Sequence, residues 1–105
     1  MTHTAAILDF AAAPHVLPPA VRADALRLLA DTLAVGAAGY GLPPIFGRSD
    51  EARSRLLNGS ERQAVDAAAF ANGYAIHSLE WDAVHEPAVV HAMSVVTAAL
   101  LAMSD

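Results

Sequence analysis

Residues 18–41, PPAVRADALRLLADTLAVGAAGYG, carry the clearest helical pattern in the chain. Pro18 and Pro19 stand where a helix begins, because proline in the first turn lacks only an N–H that would be unpaired there. Gly39 and Gly41 mark the end of the helix. Between them, apolar residues recur at spacings of three and four: Val21, Ala25, Leu26, Leu29, Leu33 and Ala37. This period predicts an amphipathic helix with one packed face, and therefore a helical fold.

Further helices are predicted on both sides of this segment. They are expected at about Thr4–Ala13, at Ile45–Leu57, from Ser60 or Glu61 to Trp81 or Asp82, and at about Ala92–Met103. Asn58-Gly59-Ser60 has the composition of a turn. No alternating pattern of apolar and polar residues indicates a strand, so the predicted class is all-α.

The size and composition of the chain indicate one domain with incomplete burial. It has 105 residues, of which 55% are hydrophobic and 16% are charged. A domain this small buries roughly 60 to 65% of its unfolded surface, so some apolar surface is expected to meet another chain or further residues. The last helix is apolar almost all round and has no stop signal before Asp105. The expectation is a chain cut inside a larger protein.

Charge and residue usage exclude several classes of function. The formal net charge is −5, and the six basic residues are arginines scattered from Arg22 to Arg62. Nucleic-acid binding needs clustered positive charge and is not expected. The chain has no cysteine, which excludes disulfides and thiolate chemistry. The longest apolar run, Ala92–Met103, is shorter than the roughly 18 residues that span a bilayer, so neither a membrane segment nor a signal peptide is predicted and the expected location is cytoplasmic.

Polar chemistry is concentrated in residues 69–91, AFANGYAIHSLEWDAVHEPAVVH. On a continuous helix, His77 and Glu80 would share one face and Asp82 would point elsewhere. Pro87 disfavours a helical conformation at the residue before it, so His85 and Glu86 are placed on a loop. A new helix is expected to start near His91. Carboxylates at a helix end, followed by imidazoles on a loop, form a candidate acid and base constellation.

These residues resemble the N-terminal part of the MmgE/PrpD family, which includes 2-methylcitrate dehydratases and cis-aconitate decarboxylases. The resemblance covers nearly the whole chain. Its weaker part is residues 29–39, and its stronger part is Ala69–Gly73, His77, Leu79–Asp82, His85 and Val90-His91, which follow the order and spacing of the family motif. The chain departs from that motif at Glu80, where aspartate is common, and at Ala83, Val84, Ala92 and Met93.

The resemblance implies that residues 1–105 are part of a large helical domain, without the family's smaller lid domain and C-terminal helices. The complete protein would be a homodimeric lyase that eliminates water or carbon dioxide from a small polycarboxylate, with no cofactor. The isolated chain is expected to be inactive. The family match implies catalytic roles for Glu80, Asp82 and His91, with Glu80 and Asp82 as base or orienting groups and His91 as acid. It implies substrate binding by His77 and His85.

Structural roles compete with these assignments. Glu80 could be a helix-end carboxylate, and His77 a buried histidine with its hydrogen bonds satisfied. A second class of function remains open, in which His77, Glu80, His85, Glu86 and His91 bind a divalent metal, although their spacing matches no tight metal motif. A third alternative is a noncatalytic relative, since Ala83 and Val84 replace polar residues of the family motif.

Overall fold

The computed structural model describes residues 2–41, 52–59 and 61–104. Over these residues the chain forms four α-helices and one short antiparallel hairpin. The helices are α1 (His3–Ala12), α2 (Pro19–Ala38), α3 (Val65–His77) and α4 (Ala92–Met103), and a 3₁₀ helix covers Glu86–Ala88. The strands are β1 (Ser54–Arg55) and β2 (Arg62–Gln63), with Ser54 opposite Gln63 and Arg55 opposite Arg62.

The predicted helices α1, α2 and α4 are confirmed, with ends within about one residue of those expected. Pro19 is the first residue of α2, and Gly39 follows its last turn. α1 ends before Pro14, and the side chain of Thr2 accepts a hydrogen bond from the backbone N–H of Ala5 at its start. α4 has the predicted bounds. Proline and glycine therefore punctuate these helices as the sequence indicates.

The core lies where α3 packs against α4 and against the C-terminal half of α2. Its side chains are mostly small, so the helix backbones approach closely. The fully or nearly buried apolar residues are Val35, Ala67, Ala68, Ala75, Ile76, Ala98 and Ala102. Gly36 shows how tight this contact is, because a Cβ added there would lie 2.6 Å from Leu57 Cδ1 and 2.8 Å from Ile76 Cγ1.

The all-α prediction is wrong at the hairpin. Most of the helix expected over Ile45–Leu57 falls on residues 42–51, outside the described residues, but its last part forms β1. The helix expected from Ser60 or Glu61 begins later, at Val65, because Arg62 and Gln63 pair with β1 instead. A turn at Leu57 and Asn58 follows β1. Two-residue strands are too short to produce an alternating pattern in the sequence.

The hairpin is held to the helices by buried polar side chains. The Asn72 amide on α3 accepts a hydrogen bond from Leu57 N–H and donates one to the Arg55 carbonyl, both at 2.9 Å. The Ser54 hydroxyl on β1 donates to the carbonyl of Ala102 on α4. Asn72 thus bonds the backbone on both sides of its amide. These bonds fix β1 against both α3 and α4.

Much apolar surface remains exposed, in agreement with the expectation from composition. Trp81 is 70% exposed, and α4 exposes Val95, Leu100 and Met103. α1 buries no residue at all. Among the described residues, no helix has both the length and the apolar character needed to cross a membrane.

Candidate active site

Three ionisable side chains from the polar segment meet at one end of α3. The Asp82 carboxylate lies between two imidazoles: His77 Nδ1 is 3.0 Å from Asp82 Oδ1, and His91 Nδ1 is 3.1 Å from Asp82 Oδ2. The two rings lie nearly edge to face, with centroids 4.8 Å apart. The side chain of Asp82 is fully buried, whereas those of His77 and His91 are 50% and 38% exposed. We call these three residues the His-Asp-His cluster.

The residues of the cluster come from α3, α4 and the segment between them. His77 is the last residue of α3, Asp82 lies on the loop that follows, and His91 is the N-cap residue of α4. α3 ends at His77, four or five residues earlier than predicted, and Glu80 then adopts a left-handed conformation with φ 54°. Because the helix does not continue, the spacing of three residues no longer aligns Glu80 with His77. The loop returns Asp82 to that histidine instead.

A second loop feature sets the position of His91. His85 N–H donates to the Val90 carbonyl at 2.9 Å, which closes residues 85–90 into a narrow loop. Inside it lies the 3₁₀ helix Glu86–Ala88, which corrects the expectation that Glu86 is nonhelical. Pro87 is compatible with this helix because a first-turn residue needs no N–H bond within it. Val89 follows with φ 51°, and the chain then enters α4 at His91.

The electrostatics of the cluster favour an ionised carboxylate. Burial alone would raise the pKa of Asp82, because it penalises the charged form. The hydrogen bond from His77 and the charges of His77 and His91 outweigh burial, so the pKa of Asp82 lies below its ordinary value of 3.8. Asp82 is therefore a buried anion at neutral pH, stabilised by the two imidazoles and by a backbone hydrogen bond at Asp82 itself.

Three of the five predicted site residues are in contact with one another, and the other two lie outside the cluster. His77, Asp82 and His91 come together, and the expectation that Asp82 points away from His77 is wrong. Glu80 is exposed and makes no hydrogen bond to the cluster. His85 is also exposed, and its Nδ1 accepts a hydrogen bond from Ala88 N–H. Their assigned roles stay predictions.

An open apolar groove adjoins the cluster between α3 and α4. Its volume is about 560 Å³. His77 lies at its edge together with Ser78 and Ser94, and the rest of its lining is Ala69, Phe70, Gly73, Tyr74, Val95, Ala98 and Ala99. Sequence reasoning did not identify this groove, because its residues have the same spacing as core positions on an ordinary helix. His77 can therefore meet a molecule that enters from the groove.

The same cluster provides the closest set of metal donors in the described part of the chain. One donor atom from each of His77, Asp82 and His91 lies within 4.8 Å of the others. Two imidazoles and one carboxylate form a ligand set that suits zinc or iron. Of the five residues in the metal-binding alternative, only His77 and His91 belong to this set. The two hydrogen bonds to Asp82 already account for the arrangement without a cation.

Comparison with known proteins identifies one family. The model of the MmgE/PrpD N-terminal domain matches residues 7–105, which is nearly the whole chain. The chain has no significant match among curated proteins or among solved structures. The match includes every residue of the cluster, of the groove and of the loop between them.

Proposed function

Because this chain belongs to the MmgE/PrpD family over residues 7–105, we propose that it supplies part of the active site of a lyase. The family includes dehydratase-type enzymes. The proposed reaction is the elimination of water, or loss of carbon dioxide, from a small polycarboxylate. The proposed complete enzyme works as a homodimer without a cofactor.

One observation within the chain supports this proposal. The buried carboxylate of Asp82 contacts the partly exposed imidazoles of His77 and His91. Elimination next to a carboxylate requires a base that removes a proton from carbon and an acid that protonates the leaving group. Positioned acids and bases each contribute about 10² to 10⁴ in rate. Imidazole is suited to both roles because it changes charge near neutral pH.

The proposed roles follow from where each side chain lies. His91 acts as the acid, and Asp82 orients it through the 3.1 Å contact with Nδ1. Glu80 is proposed as a base that moves toward the cluster when substrate binds, since its side chain is exposed and unrestrained by the cluster. His77 and His85 are proposed to contact substrate carboxylates. His77 is better placed for this because it borders the groove.

The test is an assay of the complete gene product with methylcitrate, citrate and cis-aconitate. We expect turnover of at least one of them that is insensitive to chelator. We expect His91→Gln and Glu80→Gln each to lower kcat by about 10² or more. His15→Gln is the matched control, because His15 bonds the Phe10 carbonyl far along the chain from the cluster and should leave turnover unchanged.

Three results would contradict the proposal in different ways. Turnover that survives both substitutions would remove Glu80 and His91 from the catalytic machinery. Absence of turnover with all three acids would favour the noncatalytic relative that Ala83 and Val84 suggest. Activity abolished by chelator and restored by a divalent cation would favour the metal-binding alternative.

A further inference from the structure

The hydrogen bonds of the cluster determine which nitrogen of each ring carries a proton. An ionised carboxylate can only accept hydrogen bonds. Asp82 is in contact with Nδ1 of His77 and with Nδ1 of His91. Both Nδ1 atoms must therefore donate, so each neutral ring has its proton on Nδ1 and a free lone pair on Nε2. Within the part of the chain that the structure describes, no hydrogen bond reaches either Nε2 atom, and both side chains are partly exposed.

Two other histidines have the opposite arrangement. His15 Nε2 is 2.6 Å from the Phe10 carbonyl, which only accepts, so the proton of His15 is on Nε2. His85 Nδ1 accepts from Ala88 N–H, so its proton is also on Nε2. The structure thus assigns opposite tautomers to two pairs of histidines in one chain. Among these four histidines, the two of the His-Asp-His cluster are the ones with unprotonated Nε2 atoms.

From this geometry we infer that His77 is a second acid and base group, with its Nε2 and the Nε2 of His91 forming a proton-transfer pair that Asp82 orients. This inference rests on the proposed function, replaces substrate binding as the main role of His77, and gives His77 instead of Glu80 the removal of the proton from carbon. The single negative charge of Asp82 balances one imidazolium. In the proposed reactive state one ring is protonated and the other is neutral, which avoids two positive charges on rings whose centroids are 4.8 Å apart.

That state provides the two groups that water elimination requires. Neutral His77 Nε2 takes the proton from the carbon next to a substrate carboxylate. The C–H electron pair becomes the new carbon–carbon double bond while the neighbouring C–O bond breaks. Protonated His91 Nε2 gives its proton to the departing hydroxide, which leaves as water. Afterwards His77 is protonated and His91 is neutral, and proton exchange with solvent restores the starting state.

The first test measures the tautomers directly on the 105-residue chain and does not depend on catalysis. Two-bond ¹⁵N–¹H correlation spectra, recorded at a pH where the imidazoles are neutral, distinguish protonated Nδ1 from protonated Nε2. We expect protonated Nδ1 for His77 and His91, with His15 and His85 as internal references of the opposite pattern. A protonated Nε2 on either ring of the cluster would overturn the inference.

Asp82→Asn tests whether the carboxylate is the cause. The asparagine amide has one accepting oxygen and one donating nitrogen, so it can satisfy only one ring as Asp82 does. We expect at least one of His77 and His91 to switch to protonated Nε2, while His15 and His85 stay unchanged. Retention of both Nδ1 protons in this variant would show that Asp82 does not set the tautomers, and would overturn its positioning role.

The second test separates proton transfer from substrate binding in the complete gene product. His77→Asn retains a donor near the position of Nδ1, and so keeps the bond to Asp82, but removes Nε2. We expect kcat to fall by about 10² to 10⁴ with KM little changed. A raised KM with unchanged kcat would restore the substrate-binding role and overturn the inference. An inactive wild type would refute the proposed function, whereas the spectra would still decide whether the paired tautomers exist.

Discussion

The imidazole of His77 meets the imidazole of His91 edge to face, at a centroid distance of 4.8 Å, although 13 residues of chain separate them. No hydrogen bond joins the rings directly. Both donate to Asp82, whose side chain has no exposed surface. The end of α3 and the start of α4 are therefore linked through one carboxylate. Its loss should affect stability as well as chemistry.

The first prediction concerns the stability contribution of Asp82. Asp82→Leu removes the acceptor of two hydrogen bonds and leaves Nδ1 of both rings without a partner. Because the rings remain partly exposed, water can replace part of what is lost, and we expect the free energy of unfolding to fall by about 1–3 kcal/mol. Asp82→Asn should cost less, since it keeps one acceptor. Urea denaturation at neutral pH measures both changes.

The pH dependence of the same contribution has a definite sign. The pKa of Asp82 is lowered in the folded chain, so folding favours the ionised form. The stabilisation is complete above the unfolded pKa, near 3.8, and is lost as pH falls through the lower, folded value. The difference in unfolding free energy between wild type and Asp82→Asn should therefore shrink below pH 3.8. A difference that grows in acid would mean that the carboxylate is not stabilised by folding.

The second prediction concerns Asn72, which joins α3 to the hairpin. Asn72→Ala leaves Leu57 N–H and the Arg55 carbonyl without their amide partner. A typical hydrogen bond contributes about 0.5–1.5 kcal/mol, so the loss of both bonds to Asn72 should cost about 1–3 kcal/mol. Asn58→Ala is the matched control, because Asn58 is exposed and makes one bond, to the Gly39 carbonyl. Equal losses in the two variants would contradict the structural role of Asn72.

Sequence patterns predicted the long helices because their signals are local. Pro19 and Gly39 delimit α2, and the apolar run of α4 begins directly after His91, as expected. The hairpin could not be predicted in this way. Its two-residue strands are stabilised by contacts distant in sequence, such as the bond from Ser54 to Ala102, and such contacts leave no periodic pattern.

The sequence predicted which segment holds the site residues but not how these residues are arranged. The residue types and their order pointed to residues 69–91, and His77, Asp82 and His91 do come together there. The pairing of His77 with Glu80 assumed a continuous helix, which ends at His77. The left-handed residues Glu80 and Val89 direct the loop, and neither is a glycine or asparagine that would mark such a conformation in the sequence.

The third prediction contrasts the space around two glycines, Gly39 and Gly73. A Cβ at Gly39 would lie 1.9 Å from the backbone oxygen of Ala75, so Gly39→Ala must push α2 away from α3. We expect a loss of about 1–3 kcal/mol or more. At Gly73 the nearest atom among the described residues is Ala98 Cβ at 3.6 Å, an ordinary contact. Gly73→Ala should gain up to about 1 kcal/mol of helix stability. Thermal unfolding of both variants checks this contrast, and the reverse order would contradict the packing of α2 on α3.

The final prediction concerns Val89, which directs the chain into His91. Its φ of 51° is unfavourable for a β-branched residue, and such strain costs about 1–3 kcal/mol. The side chain is 82% exposed, so replacing it sacrifices little packing. Asparagine tolerates the left-handed region, and Val89→Asn should therefore raise the free energy of unfolding by about 1 kcal/mol. Val90→Asn, one residue later at a negative φ, should give no such gain. If Val89→Asn were neutral or destabilising in urea denaturation, the strain at Val89 would not be a property of the folded chain.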